Sequence, residues 1–430
     1  MESFNKQLAI YLVGTSQENI VKPASKLINK CQKSDFDITF PSASKIDLWR
    51  KCTNKKEPEL SFEGLLKIEQ DLDNHKLSDQ FSWPIINILT KNDAVYLKLD
   101  RHFVIKSTVA QICSSGIIDE KCASSKAVCI VNSELQRSAG KTSSRQLNQL
   151  RANQIWQALT RLLAACNHNI VPQSETQHVI RIGCSDTRHL KQSENDIPLK
   201  VGQVKIKNND KFKECYTLTE VYTVICDKMK AIANERDSRG SNYDIRKQSQ
   251  IIAAAELQML LLSRNIDRQI VLQNIEDEGE LATEASFILY NYARINQLVQ
   301  SFEAQKEKYG NLLSIEDTEF SHLTEPEEWD IIINVIIPYI DMITTLRDIQ
   351  INETSFLETL NRCLTHLCAH ISKLSNIYSK YYRRVKVLKE GIHGTSAIQT
   401  LNARMYFIYT IKIVYEHAFE ILGIKPVKYM

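Results

Sequence analysis

Apolar residues along this chain fall into three spacing regimes, and each predicts a different kind of structure. Over residues 1–115 the pattern is mixed. Phe36-Asp37-Ile38-Thr39-Phe40-Pro41 and Ala94-Val95-Tyr96-Leu97-Lys98-Leu99 have strand composition, while residues 62–72 carry apolar side chains at helical spacing. A stretch rich in serine, cysteine and charge, residues 114–126, reads as a loop. Over residues 116–245 the units are longer. Residues 127–131 form a buried-strand candidate, and Ser143 or Ser144 can cap a helix carrying Leu147, Leu150, Trp156, Leu159, Leu163 and Cys166; residues 178–182 form a second strand. Strand, helix and strand at this spacing make one right-handed crossover, which predicts a Rossmann-like, doubly wound α/β domain. Residues 184–195 read as a polar surface loop. From Leu218 onward the pattern is helical almost to the end, so residues 246–430 predict an all-α bundle.

Within that bundle, Pro326 stands where a helix would begin, with Glu327, Glu328 and Asp330 in its first turn, where carboxylates complement the helix dipole. Leu374, Ile377, Tyr381, Val385 and Leu388 form a core stripe, so some tyrosines of this region are expected to be structural. The most apolar window, residues 331–340, is too short to cross a bilayer and contains Pro338. Twelve glycines and little low-complexity sequence argue against long linkers.

Charge adds a local feature that the net value of +3 conceals. After Ser372 there are ten Lys and Arg residues against three acids, whereas acids crowd residues 276–330. Such an asymmetry suits a polyanion partner. Tyr378, Lys380, Tyr381, Arg383, Arg384, Lys386 and Lys389 lie within a few helical turns. Cations of this kind neutralise phosphates and tyrosines stack on unpaired bases, so RNA binding is the functional expectation. The bland alternative is a solvated basic face whose tyrosines pack inward. Eleven cysteines without a Cys-x-x-Cys pair, and no secretory cleavage pattern, predict a reducing, cytoplasmic setting without a disulfide framework.

Further residues carry a resemblance. Phe287-Ile288-Leu289-Tyr290-Asn291-Tyr292-Ala293-Arg294-Ile295 is similar to the Tyr-Ala-x-Ala-Arg helix of arginyl-tRNA synthetases. Asn402-Ala403-Arg404-Met405 sits where that family has its Arg-Leu, and the chain closes on Leu422-Gly423-Ile424, Pro426 and Met430. Over roughly residues 251–430 the chain thus resembles the DALR anticodon-binding domain of class I arginyl-tRNA synthetases. The resemblance implies a tRNA ligand and adds Tyr292, Arg294 and Arg404 to the candidate contacts. Residues 36–41 look like part of the family's accessory amino-terminal region, which contacts the tRNA elbow.

An active synthetase of this class needs a His-x-Gly-His sequence at its first crossover helix and a Lys-Met-Ser-Lys-Ser-like loop, whose cations stabilise charge on the transferring phosphate. Here the first position reads Gln146-Leu147-Asn148-Gln149-Leu150-Arg151, and the second falls near residues 198–207, which hold lysines but no Lys-Met-Ser order. A retired catalytic domain beside an intact bundle resembles the DALR anticodon-binding domain-containing protein 3 family. That resemblance implies a non-catalytic protein that presents arginine tRNAs to a partner methyltransferase forming 3-methylcytidine in the anticodon loop. A diverged arginyl-tRNA synthetase and a protein scaffold are the rival readings. Ala139-Gly140-Lys141-Thr142 lacks the earlier glycine of a phosphate loop, and Cys363, His366, Cys368 and His370 lack a second ligand pair for zinc. No Gly-rich methyltransferase loop follows a strand. The expectation is a chain with no metal, no cofactor and no membrane partner.

Overall fold

A computed structural model of the chain describes residues 5, 7–9, 28–30, 36–41, 82–91, 94–117, 126–134, 143–184, 190, 193, 195–208, 211–212, 218–236, 245–273, 284–351, 354–388 and 394–427. The helical expectation over residues 62–72, most of the loops over residues 114–126 and 184–195, and the Ala139–Thr142 tetrapeptide lie outside them.

The amino-terminal strands β1 (Asn29–Lys30), β2 (Ile38–Pro41), β3 (Ile85–Lys91) and β4 (Ala94–Leu99) form an antiparallel sheet in the order β1-β2-β4-β3. In β4, Val95, Leu97 and Leu99 are buried while Ala94, Tyr96 and Lys98 are half-buried, the period of two that one covered face produces. Helix α1 (Arg101–Ser115), which the pattern reading did not anticipate, follows at once. The Asp100 carboxylate caps it by accepting from Phe103 N at 3.0 Å, and Val104, Ile105, Thr108, Val109 and Ile112 face inward. It packs on the last helix of the chain rather than staying with its own sheet.

Strand β5 (Ala127–Asn132), helix α2 (Ser143–Ala165) and strands β6 (Asn169–Ile170), β7 (Val179–Gly183) and β8 (Asp196–Lys200) build the expected α/β unit. All pairs are parallel, in the order β6-β5-β7-β8. Every residue of β7 is buried, as in a parallel sheet covered on both faces. A small sheet of β9 (Val204–Asn208), β10 (Lys211–Phe212) and β11 (Ile270–Gln273) joins this unit to the helices. Strand β11 corrects the all-helical reading after Leu218: a short run containing Ile270 and Val271 pairs in parallel with β9.

The helices are α3 (Leu218–Arg236), α4 (Ile245–Leu262), α5 (Glu284–Ala304), α6 (Pro326–Asp348), α7 (Thr354–Arg384) and α8 (Thr395–Leu422). Pro326 does open α6, and Glu325 and Glu328 form a reciprocal capping box, with Glu325 N donating to Glu328 Oε2 at 2.8 Å. A π turn, Ile332–Ile336, precedes Pro338. Because Pro338 has no N–H, the carbonyls four and five residues before it lack their helical donor. Lysine side chains fill in: Lys30 Nζ donates to Ile333 O at 2.6 Å and Lys373 Nζ to Asn334 O at 3.2 Å. The helix therefore continues through the proline for 23 residues, long and apolar enough to cross a membrane by length and composition, where the ten-residue window fell short. Its isoleucines at 331, 332, 333, 336, 337 and 343 are buried within the bundle.

Helix α8 ends as its sequence requires. Gly423 adopts φ 73°, its N–H reaches Glu420 O, and Ile424 N donates to Phe419 O at 2.9 Å, a Schellman closure with buried Ile424 behind it. A Cβ at 423 would also lie 2.8 Å from the Arg161 guanidinium. The Leu-Gly-Ile signature is thus a helix stop.

Inside the bundle Tyr339 shares a 2.6 Å hydrogen bond with His417 Nδ1 and meets His370 edge-on at 6.0 Å. Burial lowers both imidazoles to about 4; for His370 the nearby His366, Lys373 and Lys30 add to it. Between the ordinary imidazole range and those values the unfolded chain binds more protons, so stability is full above about pH 6.5 and is lost as pH falls. Denaturant unfolding is expected to show a loss on the order of 2 kcal/mol between pH 7 and about pH 5. An unchanged free energy over that interval would count against this buried pair.

Candidate nucleic-acid interface

Helix α7 positions the expected cationic cluster, and its burial pattern sorts that cluster in two. Tyr378 and Tyr381 are fully buried; the Tyr381 hydroxyl donates to Glu328 Oε1 at 2.9 Å, and its ring meets Phe407 edge-on at 5.6 Å. Tyr292 is buried on α5, donating to Glu416 Oε1 at 2.8 Å with its ring against Phe419 and Tyr415. Arg404 lies inside the bundle at 3.4 Å from Glu328 and 3.6 Å from Glu325. These four residues are corrected from RNA contacts to core groups, since a ring or guanidinium with no open face cannot meet a base or phosphate. Burial is also the main reason why the tyrosine hydroxyls and the Glu328 carboxyl are pushed above their ordinary pKa values. The helical stripe containing Tyr381 announced part of this; Tyr378 lies one position beside it and carried no separate signal.

The solvent side of α7 is different. Arg362, His366, Lys373, Asn376, Lys380 and Arg383 are exposed at steps of three, four and seven, and no carboxylate follows Glu358 on the helix. At 1.5 Å per residue the row runs roughly 32 Å. Lys386, just past the helix end, is exposed as well, and Lys389 lies outside the described residues. Arg383 has a structural role too, its Nε donating to Ser379 O at 3.1 Å near the negative end of the helix dipole. Arg384 is exposed but engaged: it pairs with Glu325 at 2.7 Å and also with Glu327. The acidic turn that caps α6 therefore competes for this one arginine.

Arg294 is neither buried nor simply exposed. Its guanidinium carbon lies 4.0 Å from the Tyr290 ring centroid and 4.9 Å from that of Tyr382, and Nη2 donates to the Tyr290 hydroxyl at 2.6 Å. Both rings are half-exposed. The seam between α5 and α7 thus presents a tyrosine–arginine–tyrosine stack next to the basic row. Tyr290 and Tyr382 were absent from the expected contacts; the four-residue spacing of Tyr290 and Arg294 is the signal that pairs the first of them.

The α/β unit shows where the residues at the expected nucleotide position lie. The Gln146 side chain is outside the described residues, Leu147 is buried, and Gln149 is half-buried. Asn148 Oδ1 accepts from Val204 N at 2.7 Å, fastening α2 to β9. Arg151 is fully buried and reaches Gly202 O and Arg268 O at 2.6 Å each, Asn265 O at 3.0 Å and Leu261 O at 3.3 Å. Gly202 lies so close to the opposite segment that a Cβ would meet Arg268 O at 2.1 Å. Residues 198–207, where the lysine loop was expected, are therefore β8, a stitched crossing and β9. Cys363 and Cys368 are buried while His366 is exposed, and no cluster of three metal-binding side chains occurs among the described residues.

Comparison with known proteins agrees with this geometry. The DALR anticodon binding domain family matches residues 288–430. The chain is similar to DALR anticodon-binding domain-containing protein 3 of Rattus norvegicus, 22% identical over 182 residues, and of Danio rerio, 25% identical over 183 residues. These alignments take in 42% and 41% of this chain, and they span only about one third of the relatives' own length. Among solved structures, the arginyl-tRNA synthetases of Thermus thermophilus and Plasmodium falciparum superpose over the full chain with a TM-score of 0.59 each. They cover 99% and 98% of those proteins at 8% and 10% identity, which is a likeness of fold. The fold is similar to that of arginyl-tRNA synthetases, and residues 288–430 match the DALR anticodon binding domain family.

Proposed function

We propose that this protein is a non-catalytic tRNA-binding protein that grips the anticodon arm on the solvent face of α7. The observation that carries the reading is the row Arg362, His366, Lys373, Lys380 and Arg383 beside the Tyr290–Arg294–Tyr382 stack. Cations in a row follow a phosphodiester backbone, and a partly open aromatic stack accepts an unpaired base. Support for the absence of aminoacylation comes from Asn148 and Arg151, whose polar atoms tie α2 to main-chain atoms. A neutral amide tied in this way supplies no charge to a triphosphate.

The finer reading rests on the likeness to the DALR anticodon-binding domain-containing protein 3 family. In it, arginine tRNAs held by the bundle are presented to a partner methyltransferase for 3-methylcytidine formation, and the remodelled α/β unit is free to dock that enzyme. Two assays test the proposal. Purified protein is expected to bind tRNA with an affinity that falls steeply as salt rises, and to give no ATP–pyrophosphate exchange with arginine. Exchange above background would establish the synthetase reading instead, and binding insensitive to salt would favour a protein scaffold. For the finer reading, added protein should stimulate methylation of arginine tRNA by the partner enzyme and leave other tRNAs unaffected.

A further inference from the structure

We propose that Lys30 of the amino-terminal sheet and Lys373 of α7 together form a phosphate-binding cleft, which extends the RNA track from the bundle onto the accessory region. The proposal rests on the tRNA reading above and adds a site that the anticodon domain alone does not possess. Its starting point is the break at Pro338. The two carbonyls left without helical donors, Ile333 O and Asn334 O, each draw in a lysine, and Lys30 Nζ also donates to Asn334 Oδ1 at 3.1 Å. Residues 343 positions apart in sequence thus hold their ammonium groups around one asparagine. Each ammonium carries three N–H donors, so those three bonds leave donors for an anion.

The two ammonium groups repel each other, while two carboxylates attract Lys30. Lys373 is exposed and in line with Lys380 and Arg383 on the basic row, ten residues or about 15 Å from the latter. Lys30 is half-buried, and desolvation, then the charge of Lys373, lowers it to about 8; Asp341 and Asp330 act in the opposite sense. Asp330 is occupied by Asn334, whose Nδ2 donates to Oδ1 at 2.6 Å. His370 on α7, also beside the two lysines, is held neutral and adds no charge near pH 7. A phosphodiester between the two ammonium groups would relieve their mutual repulsion and keep Lys30 protonated.

The test uses the full chain and tRNA, comparing wild type with Lys30→Gln, Lys373→Gln and the double charge reversal Lys380→Glu/Arg383→Glu. Glutamine keeps an N–H donor for the carbonyl and removes only the charge. Both single variants are expected to bind about three- to tenfold more weakly at 0.1 M salt, each with a log–log salt slope shallower by about 0.7–0.9. Wild-type affinity should also fall above about pH 8, and this fall should vanish in Lys30→Gln. If the charge-reversed variant loses binding while both glutamine variants keep the wild-type slope, the cleft is refuted and the tRNA reading stands. If wild type binds no tRNA, both fall. Should Lys30→Gln lower the thermal midpoint, Lys30→Arg, which keeps the charge, decides: the cleft predicts the wild-type salt slope there, and a slope as shallow as that of Lys30→Gln refutes it.

Discussion

Reversing Lys380 and Arg383 together to glutamate is expected to weaken tRNA binding about a hundredfold at 0.1 M salt and to flatten its salt dependence by nearly two contacts. Both side chains are exposed, and their replacement uncovers no buried partner; the Arg383 bond to Ser379 O and the attraction of Lys380 for Glu327 are lost. The thermal midpoint should therefore move little. Arg384 is left out deliberately, since Glu325 and Glu327 already hold it and its reversal would also disturb the start of α6. Fluorescence anisotropy with labelled tRNA over a salt series separates the outcomes. An unchanged affinity in a folded variant would remove α7 as the RNA face.

The largest effect on stability is expected at a residue with no ligand to bind. Replacing Arg151 by methionine keeps the apolar stem but strips donors from four main-chain carbonyls, at Leu261, Gly202, Arg268 and Asn265. Asn265 O keeps its bond from Arg268 N, but loss of the remaining donors in the interior should cost about 3–5 kcal/mol, read as a shift of the urea midpoint. Arg151→Lys should recover little, because a point charge cannot span four acceptors as a planar guanidinium does. A loss below about 1 kcal/mol in the methionine variant would show that the stitching around Gly202 holds without it. Burial already lowers the Arg151 pKa to about 10, because taking the guanidinium out of water disfavours its charged form.

Much of the architecture was readable where local chemistry and tertiary packing agree. Residues 127–131, the helical run carrying Leu147 to Cys166 and residues 178–182 became β5, α2 and β7, because an apolar run, an amphipathic helix and a second apolar run have few other solutions. Pro326 likewise marked a helix start. Helix α1 and strand β11 were missed for one reason. Each is completed by a distant partner, α8 for the first and β9 for the second, which no short window contains.

The candidate site was harder to read, and for a physical reason. Composition placed Tyr378, Tyr381, Arg383 and Arg384 together on α7, but their roles depend on which way each points. Rotation by 100° per residue sends Tyr381 to Glu328 and Phe407 while leaving Arg383 in water. Arg404 and Tyr292 belong to sequences that resemble a tRNA-binding family, yet here they hold the bundle together. Four deletions from the expected list, Tyr292, Tyr378, Tyr381 and Arg404, and two additions, Tyr290 and Tyr382, came from the same cause: side chains on separate helices meet only after packing.

By itself the sequence determined the kind of structure, a crossover α/β unit followed by helices. Periodicity and residue chemistry are local properties, carried by the chain before it folds. The tertiary structure decided which cations face solvent, that Arg151 ties α2 to four main-chain carbonyls, and that Lys30 and Lys373 meet around Asn334. Those facts depend on contacts between residues tens to hundreds of positions apart, and the geometry of such contacts is fixed only when the elements pack.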